Sequence, residues 1–318
     1  MTMYRSSFLL VLMMTALAQA QQAPPPSTGA ASSQDRQPPA KVQTGEEVGE
    51  GEVVHITASL VSVPVSVIDR QGKYVVDLHQ KDFRIYEDGV EQLITHFSNI
   101  DQRFSVVLLL DTSGSTAAFL EQMKGAAKSF VEQLRPLDTV QPVYFHGEIK
   151  PLTTKSINDP GLLSAAIDQM VPGPLNMGTR LYDAVDFAMS VLRSVSGRKA
   201  VILFTDGENT WGKATMKSTL HEAEESDILI YALQYGDAPA QKYLQQLAEK
   251  TGGRYFMAAD GNTIRRSFSE VAEELRRQYV LGYHPNELVQ TGQERKIRVK
   301  VNRRRVAVRA RRSYTYNP

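Results

Sequence analysis

From Val53 onward the apolar positions change period along the chain, and each change predicts a different kind of element. In LVSVPVSVID, Val61, Val63, Val65 and Val67 alternate with Ser62, Pro64 and Ser66, the period of a half-buried strand. Pro64 has no N–H to give a ladder, which predicts an edge strand or an outward position. Asp69–Gly72 reads as a turn. Phe83 and Ile85 alternate again, Glu87-Asp88-Gly89 reads as a hairpin turn, and Leu93–Phe97 closes a set of short antiparallel strands. The alternation then stops. Phe104–Leu110 is an unbroken apolar run, as expected of a parallel strand covered on both faces. A helical stripe follows with Phe119, Met123, Ala126, Phe130 and Leu134 on one side. Ala200–Phe204 repeats the apolar run. Leu181, Val185, Ala188 and Leu192 form a second stripe, and Ile264, Phe268, Val271 and Leu275 a third within Ile264–Gln278. Alternation returns in YVLGY, Glu294–Val301 and Val306–Ser313.

Apolar strands interleaved with amphipathic helices over 102–278 predict an α/β domain with a doubly wound, mostly parallel sheet. The flanks 51–101 and 279–318 are each too short for a comfortable β domain. Domain termini often lie close together, so the flanks predict one discontinuous β-sandwich carrying the α/β domain as an insert. Ahead of them, 1–20 reads as a signal peptide: Arg5, the apolar stretch Phe8–Leu17, then Ala18-Gln19-Ala20 as a small-x-small cleavage site. That stretch is short for a bilayer span, with an uncleaved anchor as the alternative. Residues 21–50 are rich in Pro, Gln, Ser and Gly and read as a disordered linker. The chain is therefore expected to be exported, to the periplasm, the cell surface or the medium.

The chemistry gathers at the ends of the apolar runs. DTSGST puts Asp111, Ser113 and Ser115 at a strand-to-helix turn, where open α/β sheets bind ligands. One carboxylate and two hydroxyls form half a ligand set for a hard cation. The same string also reads as a helix start capped by Ser115 or Thr116. Ala200–Phe204 ends in Thr205, Asp206 and Gly207, a second carboxylate from the same edge of the same kind of sheet. Thr179, after Gly178, stands just before a helix, where it can cap or offer a hydroxyl to a metal.

With these residues together, the segment from Phe104 to Arg277 resembles the von Willebrand factor A-type domains with their metal-ion-dependent adhesion site. The resemblance implies that Asp111, Ser113, Ser115, Thr179 and Asp206 ligate a divalent cation, directly or through water. Mg²⁺ is the ion expected, with Mn²⁺ or Ca²⁺ as alternatives. Two carboxylates and neutral hydroxyls leave such an ion electrophilic, with a replaceable water. The family lets an Asp or Glu of a protein partner take that position, so an adhesion or recognition module is implied. The alternative is a structural scaffold of an envelope assembly, the metal pinning three loops. DLHQKDFRIYEDG and VRARRSYTY also resemble the VWFA-related proteins abundant in acidobacteria.

The remaining features narrow the function further. A net charge of +1 over 318 residues gives no overall steering towards nucleic acid or membrane. Cysteine is absent, so thiol catalysis and disulfides are excluded and core burial must hold the fold. Aspartate after an apolar strand also opens haloacid-dehalogenase-type sites, but the acid–base aspartate two residues on is here Ser113. There is no phosphate loop, no G-x-S-x-G elbow and no HExxH among the scattered His55, His79, His96, His146, His221 and His284. A non-enzymatic protein is expected. The carboxyl-terminal strands carry Arg295, Lys296, Arg298, Lys300, Arg303, Arg304, Arg305, Arg309, Arg311 and Arg312. They read as a solvated face with protected edges, or as a polyanion contact without the aromatic platform of a nucleic-acid binder. Trp211, the sole tryptophan, lies five residues after Asp206, and Glu208 and Asn209 share its loop. It reads as a partner anchor or as packing over the next helix. Asp183 and Asp186 read as solvated or outer-sphere groups.

Overall fold

A computed structural model describes residues 60–99, 103–174, 176–236, 239–285 and 292–315. The signal and linker segments fall outside them. In chain order β1 (Val61–Asp69), β2 (Phe83–Glu87), β3 (Val90–Gln92) and β4 (Ile94–Ser98) precede β5 (Phe104–Asp111). The middle runs α1 (Leu120–Val131), β6 (Thr139–Phe145), β7 (Ile149–Pro151), α2 (Pro160–Asp168), α3 (Leu181–Arg193) and β8 (Arg198–Thr205). It continues α4 (Met216–Glu225), β9 (Ile228–Tyr235), α5 (Lys242–Thr251), β10 (Tyr255–Ala258) and α6 (Gly261–Arg277). Last come β11 (Tyr279–Tyr283), β12 (Glu294–Val301), β13 (Val306–Ala310) and β14 (Ser313–Thr315).

The six-stranded sheet has the order β10-β9-β8-β5-β6-β7, parallel except for β7. The unbroken apolar run of β5 is explained by its two buried faces. Val106, Leu108 and Leu110 pack with α1, α2 and α6. Val107 and Leu109 pack with α3, α4 and α5. Each fully buried side chain of this size contributes about 1.5–3 kcal/mol by leaving water. The doubly wound fold anticipated from the apolar runs is the fold found.

The flanking segments form two four-stranded antiparallel sheets, β13-β1-β11-β4 and β14-β12-β2-β3, so each sheet combines strands from both ends of the chain. Val63, Val65 and Val67 of β1, Ile85 of β2, Leu281 of β11 and Ile297 of β12 share one apolar core between them. β1 is an inner strand, so of the two positions that Pro64 suggests it takes the outward one and not the edge. Pro64 lies in the half of β1 paired with β11, just before pairing with β13 begins at Val65. The single strand expected over Val306–Ser313 is two strands in different sheets, because the chain crosses at Arg311, whose buried guanidinium binds the Glu224 and Ser226 carbonyls.

Polar contacts tie the sandwich to the α/β region. Glu274 of α6, fully buried, accepts from Ser66, Tyr74 and Arg309. Arg198 at the start of β8 donates to the Leu275, Gln278 and Asn99 carbonyls. Among the described residues no helix is long and apolar enough to cross a membrane.

Asp186 Oδ1 on α3 is one of several buried side-chain atoms with no hydrogen-bond partner among the described residues. Burial, then the nearby Glu222 and Asp183 carboxylates, push the Asp186 carboxyl up to about 6. A carboxyl raised on folding contributes stability at low pH that is lost as pH rises from its unfolded value of 3.8 through about 6. Asp186→Asn is therefore expected to raise the melting temperature at pH 7.5 and to change it little at pH 4, as thermal melts at the two pH values would show.

Candidate metal centre

Parallel pairing of β5 with β8 sets Leu110 beside Phe204, so Asp111 and Thr205 end their strands side by side. The Asp111 side chain is fully buried. Its Oδ2 accepts from Thr205 Oγ1 at 2.6 Å and its Oδ1 from the Ser113 amide at 2.9 Å. One residue beyond, Asp206 Oδ2 accepts from Ser115 Oγ at 2.5 Å and from the Tyr235 hydroxyl at 3.3 Å. Ser113 Oγ and Ser115 Oγ are 3.2 Å apart. Asp111, Ser113, Ser115 and Asp206 thus form one continuous polar cluster across two strand ends. The capped-helix reading fails at Ser115, since its hydroxyl faces Asp206. The turn instead begins as a 3₁₀ segment, Gly114–Phe119, within which Thr116 Oγ1 bonds back to the Ser113 carbonyl.

Thr179 arrives on the neighbouring loop, buried, and the N-cap residue of α3 is Arg180, whose side chain makes no cap. Its amide donates to Thr210 Oγ1 at 2.7 Å and its carbonyl accepts from the Thr210 amide at 3.0 Å. Among the described residues no hydrogen bond joins Thr179 directly to the other four. Gly178 makes the loop closure possible. It has φ +67°, and a Cβ there would stand 2.5 Å from Thr210 Oγ1 and 2.9 Å from Trp211 Cδ1. Gly178→Ala is therefore expected to destabilise the protein by about 1–2 kcal/mol and to weaken divalent-ion binding, read by thermal melts and by Mg²⁺ titration.

The donor set is all oxygen, two carboxylates and three hydroxyls, which suits a hard cation. Among the described residues no three His, Cys, Asp or Glu side chains gather as a metal cage. Burial pushes the Asp111 carboxyl up to about 7, the Asp206 carboxylate adds to the rise, and the Thr205 and Ser113 contacts oppose it. A buried carboxylate facing a second one is a charge arrangement that a cation would balance.

The profile of the von Willebrand factor type A domain matches residues 105–270. The chain belongs to that family. A von Willebrand factor type A protein from Catenulispora acidiphila shares the fold, with TM-score 0.51 and 12% identity over 82% of this chain and 75% of that one. Mussel byssus proximal thread matrix protein 1, with a zinc-occupied MIDAS motif, aligns at 18% identity and TM-score 0.49 over 58% of this chain and 48% of that one. The von Willebrand factor domain of the pilus tip protein Mfa5 from Porphyromonas gingivalis gives 12% identity and TM-score 0.45 over 54% and 94%. No curated protein matches the chain.

In this von Willebrand factor type A domain, two residues of the cluster escape the sequence reading. Thr205 is signalled only as a lone hydroxyl ending an apolar strand. Tyr235 ends β9, whose register with β8 pairs Thr205 with Gln234 and so sets Tyr235 beside Asp206. Asn209 accepts from the Tyr182 amide at the start of α3, a local capping role, while Glu208 is exposed. Asp183 is no solvated group either: it binds Arg180 and the Lys213 and Ala214 amides. Trp211 is 53% exposed, with its Nε1 on the Met177 carbonyl at 2.9 Å and the Arg180 guanidinium over its ring at 5.2 Å. It packs across the Thr179 loop rather than over the next helix.

Proposed function

We propose that this chain is an exported, non-enzymatic recognition module in which Asp111, Ser113, Ser115, Thr179 and Asp206 hold a divalent cation, Mg²⁺ before Mn²⁺ or Ca²⁺. In this reading 102–278 is the recognition domain and 51–101 with 279–318 the sandwich that carries it. The observation that supports it is the cluster running from buried Asp111 through Thr205 and the serine hydroxyls to Asp206. The bound ion would supply an electrophilic position for a carboxylate of a partner protein. The chain's own residues do the rest. Asp111 is fixed by Thr205 and the Ser113 amide, Ser115 and Tyr235 orient Asp206, and Thr210 holds the Thr179 loop.

The test is a Mg²⁺ and Mn²⁺ calorimetric titration, followed by a screen of peptides in which each Asp or Glu is matched by its amide. Saturable ion binding and capture of acidic but not amidated peptides, reversed by EDTA, is the expected result. Ion binding that stabilises the fold without any divalent-dependent capture favours the scaffold reading instead.

A further inference from the structure

The ten cations of the carboxyl-terminal strands separate into two groups. Arg295, Arg303, Arg309 and Arg312 pair with Glu87, Asp77, Glu274 and Glu249, and Arg311 is buried on backbone carbonyls. Lys296, Arg298, Lys300, Arg304 and Arg305 are exposed, and their side chains have no acidic partner among the described residues. Lys296, Arg298 and Lys300 take alternate positions on β12, so they project from one face about 6.6 Å apart in single file. Ile297 points the opposite way, into the core. The chain then turns through Arg304 and Arg305.

Edge protection accounts for only part of this row. β12 pairs with β14 over Glu294–Lys296 and with β2 over Ile297–Val301, so each of the three cations has a strand ladder on one side only, but their side chains leave the sheet face rather than its rim. Lys300 stands directly opposite Arg84 on β2, whose charge Glu91 balances at 2.8 Å, so the row itself keeps its positive charge uncompensated. Arg305 has φ 65°, in the left-handed region where glycine or asparagine would be relaxed, yet the turn carries an arginine. Tyr86, half-buried opposite Arg298, lends a ring to the middle of the face, with Lys300 Nζ 4.6 Å from its centre.

We propose that the outward face of β12 and the turn after it bind a linear acidic polysaccharide bearing uronate carboxylates. A chain lying along the strand meets Lys296, Arg298 and Lys300 in succession. A planar anionic membrane would also press on Glu91, which pairs with Arg84 to the side of the row. One ring beneath a lysine is not the series of stacking platforms that single-stranded nucleic acid uses.

Polygalacturonate is the probe, presented on a sensor to the full chain in EDTA so that the metal centre is silent. Saturable binding that weakens steeply with salt is expected. K296A/R298A/K300A should weaken it at least tenfold, and Arg312→Ala, which removes a paired cation, should not. Arg298→Glu alone gives the same test should the triple variant fail to fold. Absence of binding by the parent chain, or a folded triple variant within twofold of it, overturns the proposal. So does preference for phosphatidylglycerol vesicles or single-stranded DNA over polygalacturonate.

Discussion

Asp206→Ala is expected to lower Mg²⁺ and Mn²⁺ affinity by at least about 100-fold, more than the 10–100-fold typical of losing a residue that merely supports a ligand. Asp206 is the more solvent-accessible of the two clustered carboxylates, and the remaining proposed donors, Ser113, Ser115 and Thr179, are neutral. The substitution removes half the negative charge of the set and leaves Ser115 without its 2.5 Å acceptor. Asp206→Asn separates these effects, because it keeps an acceptor for Ser115 and removes only the charge. Asp111→Ala should be as damaging to ion binding, yet both variants should remain folded, since the sandwich core shares no residue with the cluster. Calorimetric titration with melts in and out of Mg²⁺ measures each part. Saturable, parent-like binding by both alanine variants would sink the assignment of these residues to a metal.

The sequence discloses the α/β region well because burial on both faces writes itself as an uninterrupted apolar run, and a helix packed on one face as a stripe. It also sets the acidic and hydroxyl residues at run ends. It does not disclose which run ends meet. Asp111 reaches Thr205 because β5 and β8 are adjacent and in parallel register, and Tyr235 reaches Asp206 for the same reason one strand further on. Strand order is a tertiary property with no local signature. The sandwich was harder to read for a related reason. Pro64 and the cations of β12 both carry local marks of an edge strand, and both lie on inner strands. In each case the chain places the awkward group where its neighbour ladder is short or on the face rather than the rim.

Glu274→Ala is expected to destabilise the protein by about 3–5 kcal/mol, because it strands buried partners of a charge rather than deleting a surface pair. The Glu274 carboxylate is fully buried where α6 meets the sandwich. It accepts from Arg309 Nη1 at 3.0 and 2.9 Å, from Ser66 Oγ at 3.0 Å and from the Tyr74 hydroxyl at 3.1 Å, with Arg254 at 3.6 Å. Those groups come from β1, the turn after it, the residue before β10, and β13, so one side chain satisfies donors from both ends of the chain. Its loss leaves the Arg309 guanidinium without its counter-charge and Arg254 with Glu270 alone. Glu249→Ala is the matched comparison. It breaks the Arg312–Glu249 pair, whose side chains are 80% and 56% exposed, and is expected to cost no more than about 1 kcal/mol. Urea denaturation of the two variants followed at Trp211 and by far-ultraviolet dichroism compares them directly. Equal losses would mean that α6 is held to the sandwich by its apolar face alone. A large loss confined to Glu274→Ala makes burial, and not the pairing of opposite charges as such, the reason this junction holds.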